Sequence, residues 1–281
     1  MDLDMMKLKG KNVKLAVFDL DGTLLNSQSK ISYHSRLAID ELRKKGIKIA
    51  IASGRIFSML KSFYETLNLK DFVISSNGAS IDDLTLNQPI QLLFADPADS
   101  KKVVEFCVEN HIECNILKRD ACYFQTYSKR IEKFNIYNEH AREQKSEEIE
   151  IITYEDGIDD YNDIEKLLVY ETNAVKKKKV QRFVDENTNL MHMTSGVGYV
   201  DISSVGVSKG NAVKKIAEYM NISLDQVCVF GDYDNDISMF EVAGLSVVTA
   251  NGSKNALKSA DFITLSNDDE GIAYAVRELL L

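Results

Sequence analysis

The sequence predicts an α/β protein: a doubly wound, Rossmann-like parallel sheet with a second α/β domain inserted into it. Three observations carry this reading. Short apolar runs alternate with helix-length amphipathic stretches over residues 15–82, and the same alternation returns from residue 209 to the C-terminus, the pattern of strands joined by crossover helices. The apolar runs are continuous (Leu15-Ala16-Val17-Phe18, Val227-Cys228-Val229-Phe230), as strands buried on both faces require. Between the two segments the texture changes, and two strand–helix–strand–strand patterns follow one another, which suggests an open, largely antiparallel sheet. The expected domains are a core from residues 1–82 and 205–281 and an inserted α/β domain from 83–204.

In chain order, the first strand, Leu15–Phe18, stops at Asp19-Leu20-Asp21-Gly22-Thr23-Leu24. Gly22 there permits a tight turn. Ser32 is a suitable N-cap for a helix reaching Lys45, and Gly46 closes it. A strand over 47–51 leads into Ala52-Ser53-Gly54-Arg55. A helix follows over 56–67, and a strand over 72–74 leads into Ser75-Ser76-Asn77-Gly78-Ala79. The first inserted pattern is a strand at 91–95, a helix at 98–110 and strands at 112–117 and 122–126. The second is a strand at 166–171, a helix at 175–186 and strands at 190–195 and 199–203. The stretch 129–150 between them, and the run Lys176–Lys179, read as solvated helix faces. Lys209-Gly210 then opens a helix to about Met220. A strand over 227–230 runs into Gly231-Asp232-Tyr233-Asp234-Asn235-Asp236, with a helix to Ala243 after it. A strand over 245–248 ends in Ala250-Asn251-Gly252-Ser253, and a short strand at 262–265 precedes a closing helix at 271–280.

The composition excludes several partners. The chain has 281 residues, of which 44% are hydrophobic, and 34 basic against 43 acidic residues leave a net charge of −9. That balance argues against nucleic acid and anionic membrane surfaces, which need a basic face. No apolar run approaches the roughly 18 residues of a membrane span, and Met1–Lys14 lacks a signal-peptide apolar region. The expected location is therefore the cytoplasm. Cys107, Cys114, Cys122 and Cys228 form no CxxC pair and read as reduced and structural. His34, His111, His140 and His192 are scattered without metal-ligand spacing.

In the core segments, every polar cluster follows an apolar strand. In open parallel sheets ligands bind outside the carboxyl ends of the strands, so Asp19/Asp21, Ser53-Gly54, Asn77-Gly78 and Asp232–Asp236 are expected on one rim. Asp19 and Asp21 are either a strand end with an Asp-Gly turn or two like charges held together by a cation, for which oxygen-only ligation suggests Mg²⁺. Asp232–Asp236 is either an acidic helix start or a source of further oxygen ligands. Ser53-Gly54 is either a plain N-cap or an anion site. Lys209 begins a helix where the dipole opposes a cation, which makes sense if an anion lies there; otherwise it is a surface lysine.

Taken together and in this order, the motifs resemble those of the haloacid dehalogenase superfamily of aspartate-nucleophile phosphatases, in its Cof-like branch with a large α/β cap. They are Phe18-Asp19-Leu20-Asp21-Gly22-Thr23-Leu24, Ala52-Ser53-Gly54-Arg55, Ser76-Asn77-Gly78-Ala79, Asp201-Ile202 through Gly206-Val207-Ser208-Lys209-Gly210, and Gly231-Asp232-Tyr233-Asp234-Asn235-Asp236-Ile237-Ser238-Met239. Asn251-Gly252-Ser253 departs slightly from the family's Gly-Asn-Ala turn. The resemblance implies a Mg²⁺-dependent phosphatase for a small phosphorylated metabolite such as a sugar phosphate. Asp19 would be the nucleophile and Asp21 the acid and base. Leu20, Ser53, Gly54, Lys209 and Asn235 would bind phosphate. Asp19, Asp21, Asp232 and Asp236 would hold or orient the metal. The cap would set specificity, with 118–123 and 195–199 as candidate contacts, in a monomer or weak homodimer. The alternatives are a phosphomutase on the same machinery, which needs a second cationic pocket in the cap, and a non-catalytic metabolite-binding regulator.

Overall fold

The computed structural model describes residues 2–143, 146–196 and 198–281. Val197 and the Ser195 side chain, in the 195–199 stretch named above, lie outside the described residues. So do Gln144 and Lys145 in the charged middle stretch, and the His140 side chain. The chain forms two compact units: the chain up to Ser53 with Phe63–Ile90 and Ser208–Leu281, and Gly54–Ser62 with Gln91–Val207.

The first unit begins with α1 (Leu3–Gly10), which the charge-rich N-terminus conceals from periodicity. Asp2 caps it, accepting from the Met5 amide at 2.8 Å, and Lys7 and Lys9 occupy its last turn, where the helix dipole favours cations. Then come β1 (Leu15–Asp19), α2 (Tyr33–Lys44), capped by Ser32, and β2 (Lys48–Ala52). The helix expected over 56–67 is a 3₁₀ turn (Phe57–Leu60) followed by the short α3 (Lys61–Thr66). β3 (Phe72–Ser75), β4 (Ser80–Asp83) and β5 (Gln88–Leu92) follow.

The second unit carries α4 (Pro97–Glu109), β6 (Glu113–Lys118), β7 (Ala121–Gln125), α5 (Arg130–Glu143), β8 (Glu150–Tyr154), β9 (Ile164–Tyr170), α6 (Ala174–Asn187), β10 (Leu190–Gly196) and β11 (Tyr199–Ser204). Its sheet has the order β10-β11-β9-β6-β7-β8. β10, β11, β9, β6 and β7 pair antiparallel in turn, and β7 pairs parallel with β8. Val103, Val104 and Cys107 of α4 and Val180 and Val184 of α6 pack on one face, against Cys114, Ile116, Leu167, Val169, Val200 and Ile202. Leu117, Cys122, Phe124 and Leu168 form a separate cluster with Phe134 of α5 and with Ile56.

The chain then returns to the first unit with α7 (Lys209–Tyr219), β12 (Val227–Gly231), α8 (Ile237–Phe240), β13 (Leu245–Val248), α9 (Lys254–Ser259), β14 (Phe262–Ile263) and α10 (Gly271–Leu279). The first unit's sheet runs β14-β13-β12-β1-β2-β3-β4-β5. The strands from β14 to β3 are parallel to one another, and β4 turns antiparallel on β3. Side chains alternate across a strand. Leu15 and Val17 of β1 therefore face α7 and α8 through Ala212, Val213, Ile216 and Met239. Phe18 points the other way and stacks on Phe230 at 4.5 Å.

Two expectations need correction. The strand expected at 91–95 within the inserted domain is instead β5, which ends at Leu92 and pairs at the edge of the core sheet. The insertion's first pattern thus lacks its leading strand, and β8, hidden behind the Glu-rich approach to Glu150, fills out the second sheet. Residues 54–62 group with the second unit. Ile56 packs on Leu117 and Phe124, the Arg119 carbonyl accepts from the Ser58 hydroxyl at 3.1 Å, and Tyr137 donates to the Ser58 carbonyl at 3.2 Å. The division therefore falls at residues 90/91 and 207/208, where 82/83 and 204/205 were expected. No helix among the described residues is long and apolar enough to cross a membrane. The four cysteines are buried and form no disulfide.

Candidate active site

β1 lies between β2 and β12, in register Leu15–Lys48 and Leu15–Val227, so the carboxyl ends of three parallel strands share one edge of the sheet. Asp19 is the last residue of β1 and is 6% exposed. Beyond it the backbone reverses at Gly22, whose φ is +86°. A Cβ on Gly22 would lie 2.4 Å from Asp232 Oδ2, so only glycine lets the turn after β1 approach the loop after β12. The Leu20 side chain is buried, and its carbonyl accepts from the Leu25 amide at 2.8 Å, closing the turn. Ser53, just past β2, is buried and tied into the sheet. Its amide donates to the Ile74 carbonyl at 2.9 Å, and its carbonyl accepts from the Asn77 amide at 2.9 Å.

Lys209 is the centre of the charge arrangement. Its side chain is 0% exposed, and its Nζ lies 2.5 Å from Asp19 Oδ1 and 2.6 Å from Asp236 Oδ1. The helix start behind it is satisfied separately: Ser208 Oγ accepts from the Asn211 amide at 3.1 Å. The dipole penalty on a cation at this position is thus offset by two carboxylates, so Lys209 is no surface lysine. Asp236 Oδ2 accepts from the Asp232 and Tyr233 amides at 2.9 and 3.0 Å, so both of its oxygens are engaged by protein groups. Asp232 Oδ1 accepts from the Thr23 hydroxyl at 2.9 Å. Asp19 Oδ2 is buried and has no hydrogen-bond partner among the described residues.

Asp19, Asp232 and Asp236 each place an oxygen within 4.8 Å of the others. Burial and the Asp236 charge push the Asp19 carboxyl well above the usual carboxylate range, although Lys209 pulls it back. The same two causes push Asp232 to about 6. Burial alone would lower Lys209, but Asp19 and Asp236 hold it above the ordinary lysine value. Three carboxylates against one ammonium leave the cluster short of positive charge. An all-oxygen donor set with one orphaned buried carboxylate oxygen fits a hard divalent cation. Asp19 and Asp232 have the oxygens to hold it, and Asp236 holds the loop that carries Asp232.

The remaining expected residues fall into different places. Asp21 is exposed within the turn and forms a β-bridge with Leu25. Asn235 Nδ2 donates to Asn77 Oδ1 at 3.0 Å, joining the loops after β12 and β3. Gly54 is the first residue of the second unit. Several buttressing residues were not singled out from sequence. Asn251 Nδ2 and the Thr249 hydroxyl donate to the Gly22 carbonyl at 2.8 and 3.2 Å. Ser253 Oγ and Asn255 Nδ2 hold the Asp234 carboxylate at 2.5 and 3.2 Å, which turns it toward α9. Thr23 and Asn251 lie inside motifs already quoted and were legible as candidates; Thr249, at the end of an apolar run, carries no local signal.

The family model for haloacid dehalogenase-like hydrolases matches residues 16–276. Putative phosphatase YxeH of Bacillus subtilis (strain 168) is 27% identical over 279 residues, covering 95% of this chain and 98% of the relative. A protein of the same organism named 5-amino-6-(5-phospho-D-ribitylamino)uracil phosphatase YwtE is 27% identical over 284 residues, again covering 95% and 98%. The solved structure of a haloacid dehalogenase-like hydrolase from B. subtilis superposes with a TM-score of 0.82 at 26% identity, covering 95% of this chain and 100% of that one.

Proposed function

Because the chain belongs to the haloacid dehalogenase-like hydrolase family, we propose that it is a Mg²⁺-dependent phosphatase that hydrolyses small phosphorylated metabolites, sugar phosphates or similar, through an aspartyl-phosphate intermediate. The observation that carries this reading is Asp19: a buried carboxylate at a strand end, with Oδ1 held by Lys209 and Oδ2 without a partner among the described residues.

Asp19 attacks phosphorus in line, and the bond to the leaving oxygen breaks. Asp21, on the exposed turn two residues on, gives its proton to that oxygen. It then takes a proton from the water that hydrolyses the aspartyl-phosphate. Lys209 stays protonated between Asp19 and Asp236, orients the nucleophile and offers charge to the phosphoryl oxygens. Ser53, Gly54, Asn235 and the Leu20 backbone complete the phosphate contacts. A divalent cation would be held by the Asp19 side chain, the Asp21 backbone carbonyl and Asp232, and would supply the charge that lets a carboxylate approach a phosphate dianion. Asp236 orients the Asp232 loop through the two amides it accepts from. The core is then the catalytic domain, and the second unit sets substrate preference.

The test is hydrolysis of p-nitrophenyl phosphate by the purified chain. Turnover is expected with Mg²⁺, none with EDTA, and none for Asp19→Asn under either condition. Undiminished turnover in chelator would sink the metal assignment, and an active Asp19→Asn enzyme would sink the nucleophile.

A further inference from the structure

The loop after β3 has a backbone that its sequence does not favour. Ser76, Asn77 and Gly78 all have positive φ, at 49°, 59° and 104°. Gly78 adopts this freely, and asparagine tolerates it because its short side chain bonds locally. For a serine it is uncommon, and such conformations persist only where the surroundings over-determine them. Here three neighbours do so. The Asn77 amide donates to the Ser53 carbonyl at 2.9 Å. The Asn77 side chain accepts from Asn235 Nδ2 at 3.0 Å. Gly78 lies so close to the start of α7 that a Cβ on it would come 2.5 Å from the Ser208 carbonyl oxygen. The turn therefore touches three of the segments assigned to phosphate: the end of β2, the loop after β12 and the residue before Lys209.

Asn235 is a carboxamide, with a donating end and an accepting end. A phosphate dianion accepts from the first and is repelled by the second. With Asn77 Oδ1 as the acceptor, the Asn235 NH₂ faces it; reversing the Asn235 amide alone would set two carbonyl oxygens against each other at that spacing. One Asn235 N–H is thereby fixed on Asn77, and the direction of the other is fixed with it. Asn77 is 2% exposed, so water does not compete for this bond.

We propose that Asn77 is a positioning residue: it locks the Asn235 carboxamide in the orientation that donates to the phosphoryl group, and the left-handed turn at 76–78 exists to place it there. This rests on the phosphatase reading above. It assigns Asn77 no contact with the reacting atoms.

The variant that isolates the side chain is Asn77→Gly, since glycine keeps the left-handed backbone without strain. The thermal midpoint should stay near that of the unaltered protein. KM for p-nitrophenyl phosphate and the dissociation constant for inorganic phosphate, measured by calorimetry with Mg²⁺ present, should both rise roughly threefold to tenfold, the scale of one hydrogen bond. kcat should change less than KM. Because Asn77 acts through Asn235, Asn77→Gly in an Asn235→Ala background should add almost nothing to either constant. Asn77→Asp keeps the acceptor but adds a negative charge beside the anion, and should weaken phosphate binding more than Asn77→Gly. If the two substitutions are additive, or if Asn77→Gly leaves phosphate affinity unchanged, the positioning role is refuted while the phosphatase reading stands. If the unaltered protein neither hydrolyses the ester nor binds phosphate, both readings fall together.

Discussion

Replacing Lys209 with methionine tests the charge arrangement directly. The side chain is 0% exposed and bridges Asp19 at 2.5 Å and Asp236 at 2.6 Å. Methionine fills nearly the same space, so the perturbation is the charge and its hydrogen bonds rather than a cavity. Removing one partner of a buried ion pair costs about 3–5 kcal/mol, because the remaining charges stay desolvated and unpaired. For a protein of this size that is a fall in thermal midpoint of roughly 6–20 °C. The loss must depend on pH. Asp19 already sits above the usual carboxylate range because of burial and Asp236, and Lys209 pulls it down. Without Lys209 its folded-state value rises further. A raised carboxyl contributes stability that is complete below the ordinary carboxylate value and is lost as pH rises through the folded value. The variant should therefore be close to the unaltered protein near pH 4 and fall behind it progressively toward pH 8. Scanning calorimetry of both proteins in EDTA at pH 4.5, 6 and 7.5 reads this. A midpoint difference below about 2 °C at pH 7.5, or one that does not grow with pH, would refute the account of Lys209 as the counter-charge of the cluster.

Three further outcomes follow from the same geometry. Burial and Asp236 raise Asp232 to about 6, so in EDTA its contribution to stability is lost as pH rises from near 4 through 6. Mg²⁺ favours the ionised form, so the Mg²⁺-induced rise in thermal midpoint should be small at pH 5 and large at pH 7.5; a shift equal at both would contradict the Asp232 assignment. Gly22→Ala places a methyl group 2.4 Å from Asp232 Oδ2 on a backbone with φ +86°, so it should cost about 1–3 kcal/mol and raise the Mg²⁺ concentration needed for half-maximal activity, and a half-activation unchanged in titration would argue against Asp232 as a ligand. Asp21→Asn should lose more kcat on a sugar phosphate than on p-nitrophenyl phosphate, by up to about 10²–10⁴-fold, and should release a burst of p-nitrophenol with phosphate trapped on Asp19; rapid quench and peptide mapping check this, and equal impairment on both substrates with no burst would refute the role assignment.

The sequence by itself determined where the parallel strands of the core lie, β1 to β3 and β12 to β14, though not β4 or β5. An apolar run such as Leu15–Phe18 is long enough to specify a strand buried on both faces, and its abrupt stop at Asp19 marks the sheet edge without any knowledge of neighbours. The same holds for Val227–Phe230 ahead of Asp232, and for Ser32 as a helix cap. Tertiary structure alone decided what pairs with what. β5 has the local pattern of a strand, but whether it joins the core sheet or the inserted one depends on a neighbour that no window of sequence contains. α1 and β8 are short, charged at their flanks and held by contacts from elsewhere, so their own periodicity is weak. In the site, residue type alone offers five carboxylates at 19, 21, 232, 234 and 236 as oxygen donors, of which the family resemblance selects 19, 21, 232 and 236. Folding shows which oxygens are already taken: Asp234 turns toward α9, Asp236 spends both oxygens on Lys209 and two backbone amides, the Asp21 side chain is exposed, and Asp19 and Asp232 keep oxygens for a cation. The physical reason is that residue type fixes how many hydrogen bonds a carboxylate can accept, whereas which of them are already taken is set by groups brought together from 190 positions apart, as Lys209 is to Asp19.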